Sequence, residues 1–327
     1  MRKFLAGGGN CQPFMLRSPA VQRELKRYDG SGNIYVTDTA NNRIRKFSSA
    51  AVESNPGFCG SGTFGYTGGS TACGSALFAA PTGVAVASNG TVYVADSANN
   101  VIRKISAGTA TVLAGNGTRG YADGTGTSAV FAQPTGVAID STAMYLYVAD
   151  YGNQRIRQVA ITDGSTVTFA GSGTAGLFNA IGTSAQFNGP YGISVDASGN
   201  VYVSDQNNHV IRKITSAGSV TTFAGNGTVG SRDGSGASAQ FNSPAGTAVD
   251  PNGNIYIADV MNHVIRKISA TGTVSTIAGT HLYGYADGGG YVAKFNMPKG
   301  VVVTSDGKTI YVADQQNSRI RIVKQGL

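Results

Sequence analysis

The chain has 327 residues, of which 47 are Gly and only 13% are charged. So much Gly without helix-forming runs excludes a helical bundle and points to many short strands joined by turns. The net charge of +8 permits attraction to anionic surfaces. No apolar run approaches the ~18 residues of a membrane span, so no membrane insertion is expected.

From the N-terminus, Met1–Ala6 begins like a secretory leader, but Gly7-Gly8-Gly9 cuts off its apolar segment. Phe4-Leu5-Ala6-Gly7 reads as a lone strand. Next comes Pro19, followed by the charged segment Val21–Tyr28, for which a short helix, a bulged loop or a local reading-frame slip all fit. From Gly32 onward one phrase recurs, most clearly at Gly253–Ile268. Asn254–Asp259 and Val264–Ile268 are runs of β-branched and aromatic residues, which favour strands. Asp259, Met261, Asn262 and His263 between them suit a turn, so the phrase reads as a β-hairpin.

The Asp that ends the first strand of this hairpin falls at Asp38, Asp96, Asp150, Asp205, Asp259 and Asp314, in steps of 58, 54, 55, 54 and 55. The Arg of the second strand repeats identically, at Arg45, Arg103, Arg157, Arg212, Arg266 and Arg321. Such periodicity signals a repeat architecture. A Pro-x-Gly strand precedes the hairpin at Pro81–Val86, Pro134–Asp140, Pro190–Asp196, Pro244–Asp250 and Pro298–Thr304. An apolar strand ending in Ala-Gly follows it at Val112–Gly115, Thr168–Gly171, Thr222–Gly225 and Thr276–Gly279. Each repeat therefore supplies four antiparallel strands, called a to d in chain order. Repeated radially, they make an all-β, six-bladed β-propeller. The repeats centre on 30–47, 78–105, 131–159, 187–214, 241–268 and 295–323, and a single domain is expected over 1–327. Ile320–Val323 is a c strand with no d strand after it, so an N-terminal strand is expected to close the last blade.

The hairpin phrase, with Asn208-His209-Val210 and Asn262-His263-Val264, and the upstream Phe-x-x-Pro-x-Gly of Phe241–Asp250 resemble the NHL repeat. The resemblance implies a six-bladed ring that serves as an interaction module for protein or, sometimes, RNA, often as part of a larger multidomain protein. Related six-bladed rings include metal-dependent lyases and lactonases.

In such a meander the d–a connections and b–c turns emerge on one face, and the long connections are all d–a. Scaffolded loops tend to carry binding function. The expected function is a non-enzymatic binding ring or scaffold that recognises a protein or peptide there, with Tyr66, Arg119, Tyr121, Tyr151, Arg232, Tyr283 and Tyr285 as binding candidates. The competing reading is that each Gly-Tyr pins its loop to a neighbour. The repeated Asp and Arg are read as structural pairs, because buried polar groups need partners.

Single-stranded RNA binding by a basic surface is a second functional reading, weakened because Arg103-Lys104 and Arg212-Lys213 lie in c strands around the circumference. A channel-centred hydrolase or lyase is the third. Its residues are sparse: His209 and His263 share one repeat position, His281 stands in a loop, and zinc wants three or four converging ligands. Glu24 and Glu53 are the only Glu, leaving little for a paired-glutamate glycosidase. The Asp-Gly pairs at Asp123, Asp233 and Asp287 read as tight turns rather than calcium ligands. No catalytic residue, metal or cofactor is assigned. Cys59 and Cys73 suit either a loop-closing disulfide or two buried thiols; a disulfide favours an extracellular or periplasmic location. Asn89, Asn116 and Asn226 begin glycosylation triplets.

Overall fold

The computed structural model describes residues 10–14, 23–28, 32–48 and 53–325, with side chains over 32–48 and 57–325. They form six antiparallel sheets of four or five strands, each a blade. Blade 3 shows the plan: a is Pro134–Ile139, b is Tyr145–Asp150, c is Arg155–Ala160 and d is Thr166–Ala170, paired in that order. In other blades a two-residue strand from the incoming d–a loop, such as Ala180–Ile181, adds to the edge of d.

The apolar core lies between blades. One cluster joins Tyr35, Ile44 and Cys59 of blade 1 to Val84, Val92 and Val94 of blade 2. Similar clusters fill every seam round to Val302, Tyr311 and Ala313 of blade 6, which pack on Ile34 and Val36 of blade 1. Covered on both faces, the b strands are buried along all or nearly all of their length, as in Val-Tyr-Val-Ala-Asp of Val92–Asp96.

The a strands crowd around the axis. A Cβ on Gly192 would lie 2.1 Å from Ala245 O, and one on Gly83 2.1 Å from Thr135 O. The Gly of Pro-x-Gly is thus a steric requirement of the ring.

Two expectations shift. Asn10–Phe14 supplies the d strand of blade 6, with Cys11 opposite Val323; Phe4–Gly7 lies outside the described residues. No helix forms among the described residues of the charged segment. Arg23–Tyr28 is the a strand of blade 1, running from Arg23 opposite Asp38 to Tyr28 opposite Ile34, with a bulge between Lys26 and Tyr28. The free edge of Ile34–Asp38 needs a ladder partner, and that requirement overrides local composition; the bulge absorbs an extra residue. Val21 and Gln22 lie outside the described residues.

Cys59 and Cys73 are joined by a disulfide. The Gly60 N–H donates to Cys73 O at 2.9 Å, as Gly115 does to Gly126 O and Gly225 to Gly236 O. The counterparts of Cys73 are therefore these glycines.

Candidate functional site

The repeated residues bolt each d–a loop to the blade beneath it, as blade 5 shows. Asp259 Oδ1 accepts the Asn242 N–H at 2.8 Å, and Oδ2 accepts from Asn262 Nδ2 and Arg266 Nη1, both at 2.8 Å. Asn262 Nδ2 also donates to Gly230 O at 2.7 Å. Arg266 Nη1 donates to Gln240 O at 2.9 Å, and Nη2 to Arg232 O at 2.9 Å and Asp233 Oδ1 at 2.7 Å. The guanidinium lies 5.0 Å above the Phe241 ring, the Phe of Phe-x-x-Pro-x-Gly. Asp259 and Arg266 are fully buried. Burial disfavours the carboxylate charge, raising Asp96, Asp205 and Asp259 to about 6 against the pull of their donors.

Asp123, Asp233 and Asp287, read from sequence as tight turns, instead accept from the buried Arg157, Arg266 and Arg321. Asn179 takes the same place beneath the loop entering blade 4, where it accepts from Arg212 at 2.8 Å. The sequence offered one signal: these residues stand 33 or 34 positions before their Arg.

The bonds divide the sequence-derived binding candidates. Tyr121 carries the Arg155 guanidinium 3.8 Å from its centroid and Arg157 at 5.0 Å, and its hydroxyl meets Thr168 Oγ1 at 2.9 Å. Tyr285 is held likewise by Arg319 and Arg321, at 4.1 and 4.8 Å. Tyr151 lies edge-on to Tyr191 at the channel mouth, 6.1 Å between centroids. Tyr66 is partly exposed beside the next loop, whose Gly117 would bring a Cβ within 3.8 Å of its ring. Arg119 and Arg232 project from exposed positions. Tyr283 is 73% exposed, with His263 beside it at 6.0 Å. Sequence reading passed over Phe64, Val229 and Leu282, exposed by 66%, 53% and 63% on the same loops. Phe64, Val229 and Tyr283 occupy the same position, just before the clamped Gly65, Gly230 and Gly284.

Among the described residues a second set of bonds latches blades 1 to 5 each to the next. His209 Nδ1 accepts the Ser243 N–H at 3.0 Å, and His263 Nδ1 accepts that of Met297 at 3.1 Å. Asn42, Asn100 and Gln154 make the equivalent bond with side-chain oxygens. Only an unprotonated Nδ1 can accept, and burial lowers both His pKa values. A lowered pKa gives stability that is present above the ordinary value near 6.5 and lost as pH falls below it. The raised buried Asp carboxyls act with the opposite sign, their contribution being lost as pH rises through about 6. We therefore expect wild type to lose more stability between pH 7 and 5 than His209→Asn/His263→Asn, in which the Asp contribution is unchanged. Urea titrations at both pH values measure the difference; identical pH dependence would refute the latch.

Apolar and aromatic side chains gather at the channel mouth on this face. Tyr191 packs with Ala245 and Val260, and the Lys299 amine sits 4.8 Å over its ring. A cavity of about 810 Å³ opens at the other end, lined by Ser88, Asp140, Asp196, Asp250 and Ser305 among others. Its carboxylates cap turns: Asp196 Oδ1 accepts from the Ser198 and Asn200 N–H groups, and Asp250 Oδ1 from those of Asn252 and Asn254. Among the described residues no three His, Cys, Asp or Glu gather as metal ligands, and no helix is long and apolar enough to cross a membrane.

The NHL repeat family model matches residues 78–105, 187–214, 241–268 and 295–323. Protein SUPPRESSOR OF QUENCHING 1, chloroplastic, from Arabidopsis thaliana is 32% identical over 266 residues, covering 76% of this chain and 25% of that protein. NHL repeat-containing protein 2 from Homo sapiens is 28% identical over 283 residues, covering 75% of this chain and 39% of its own length. The chain thus spans well under half of either relative. Among solved structures, a gluconolactonase from Xanthomonas campestris superposes with a TM-score of 0.64 at 10% identity, covering 99% of both chains. At that identity the likeness extends to the fold alone.

Proposed function

The chain carries NHL repeats on a six-bladed β-propeller, and from that premise we propose a non-enzymatic interaction module that recognises a protein or peptide segment on the d–a/b–c face. One observation carries the reading. Phe64, Val229 and Tyr283 stand exposed at one repeated position on loops that buried Asp and Arg and half-buried Asn hold in place. Apolar and aromatic side chains on a rigid, polar-rimmed support are the usual anchors of an interface. Preorganised loops also lower the ordering cost of binding.

The test is selection of peptides from a random library on the immobilised ring. Selected peptides should bind Phe64→Ser/Val229→Ser/Tyr283→Ser at least tenfold more weakly than wild type. Lys308→Ser, an exposed change on the opposite face, should leave binding unaltered. Failure to select any peptide, or equal loss in both variants, would overturn the reading.

A further inference from the structure

Resting on that reading, we propose that the segment recognised on the loop face is acidic, with apolar residues between its carboxylates. The loop carboxylates of this face are held in its clamps, each sharing its Arg with a b-strand Asp. Asp123, Asp233 and Asp287 each pair with a buried Arg and bond a loop or strand neighbour as well. The Asp of the b strands, such as Asp150 and Asp205, are fully buried against Arg157 and Arg212. The b–c turns, among them Ser97–Asn99 and Gln206–Asn208, carry no charged residue.

Cations remain. Arg119 and Arg232 are exposed, and among the described residues neither meets a carboxylate within ion-pair distance. Arg155 and Arg319 lie on Tyr121 and Tyr285 and donate to the backbone carbonyls of Asn153, Ser172 and Asn317, leaving their charge without a counterion at the surface. The opposite face differs in exposing Asp163 and Asp306, which no described Arg pairs, beside Lys308.

The apolar part lies between the two free cations. The loop entering blade 3 carries Arg119, and the loop entering blade 5 carries Arg232. The loop between them, entering blade 4, has no charged residue and exposes Leu177 by 46% and Phe178 by 56%. It adjoins the next loop closely enough that a Cβ on Gly227 would sit 3.7 Å from Leu177 Cδ2. A segment along this arc meets a cation, an apolar stretch and a second cation. Carboxylates flanking an apolar residue complement that order, and a basic segment is repelled by it. An RNA strand would satisfy the cations, but Tyr121 and Tyr285 already carry guanidiniums and offer bases little platform for stacking.

The peptides selected from the random library should be enriched in Asp and Glu flanking Leu, Phe or Tyr. Their binding should weaken at least tenfold between 50 and 500 mM NaCl. Selection on Arg119→Glu/Arg232→Glu should lose the acidic enrichment and shift towards Lys and Arg, while Lys308→Glu keeps it. Both variants should melt within about a degree or two of wild type, since the changes lie at exposed positions. Neutral or basic peptides on the wild-type ring, or acidic peptides indifferent to the double reversal, would overturn the inference. So would a labelled random RNA pool retained more tightly than any acidic peptide. Neutral peptides that still require Phe64, Val229 and Tyr283 would defeat only the acidic inference; absence of any selected peptide would defeat the interaction reading beneath it.

Discussion

Arg266→Ala should lower the unfolding free energy by about 3–5 kcal/mol, the range for removing one partner of a buried ion pair. The substitution leaves Asp259 fully buried with only the Asn242 N–H and Asn262 Nδ2 as donors. It also strips donors from Gln240 O, Arg232 O and Asp233 Oδ1, leaving the loop entering blade 5 held by Asn262 and Thr276. Arg266→Lys keeps the charge but loses the planar fork that spans these acceptors, so its cost falls between wild type and Ala. Stability in a repeat ring is shared through neighbouring seams, and Ile265 and Ile268, flanking Arg266, face blades 6 and 4 respectively. The effect should therefore appear in the global urea midpoint. A midpoint unchanged by Arg266→Ala, with peptide binding abolished, would mean that Arg266 is a ligand group and that the structural account is wrong.

The same residue shows what the sequence could tell. A pattern repeated six times fixes register, because the b-strand Asp must meet the c-strand Arg in every blade. The fold, the pairing of Asp with Arg and the loop-bearing face followed from that repetition. Partners distant in sequence were less visible. Asp233-Gly234 has the local chemistry of a turn, yet its carboxylate serves an Arg 33 residues away. Tyr121 and Tyr285 could be read either as binding aromatics or as loop pins, because nothing local announces the guanidiniums that lie on them. Conversely, Phe64 and Val229 attracted no notice, since an isolated apolar residue in a loop is ordinary. Only the Asn clamp on the following Gly fixes them at one repeated position. Arg23–Tyr28 defeated local reading for a different reason. Its strand state is imposed by the unpaired edge of Ile34–Asp38, which local composition does not encode.

Loss of the Cys59–Cys73 disulfide should cost about 3 kcal/mol, the chain-entropy value for a loop of roughly 15 residues; here the two Cys are 14 residues apart. Cys59→Ala isolates the cross-link, because Ala114, Ala170, Ala224 and Ala278 fill that place in other blades without strain on the fold. The ring should still form. The bond from the Gly60 N–H to Cys73 O belongs to the backbone, and Gly115 makes its counterpart to Gly126 O with no covalent link nearby. What changes is the unfolded chain, which gains freedom over the segment that carries Phe64 and Tyr66. Before reduction, a thiol titration of the denatured protein should count one free thiol, that of Cys11, and after reduction all three. Three thiols without reduction, or an unchanged urea midpoint in Cys59→Ala, would show that the cross-link does not stabilise this loop. If the variant keeps its fold but binds selected peptides more weakly, the disulfide also contributes to holding Phe64 ready for a partner.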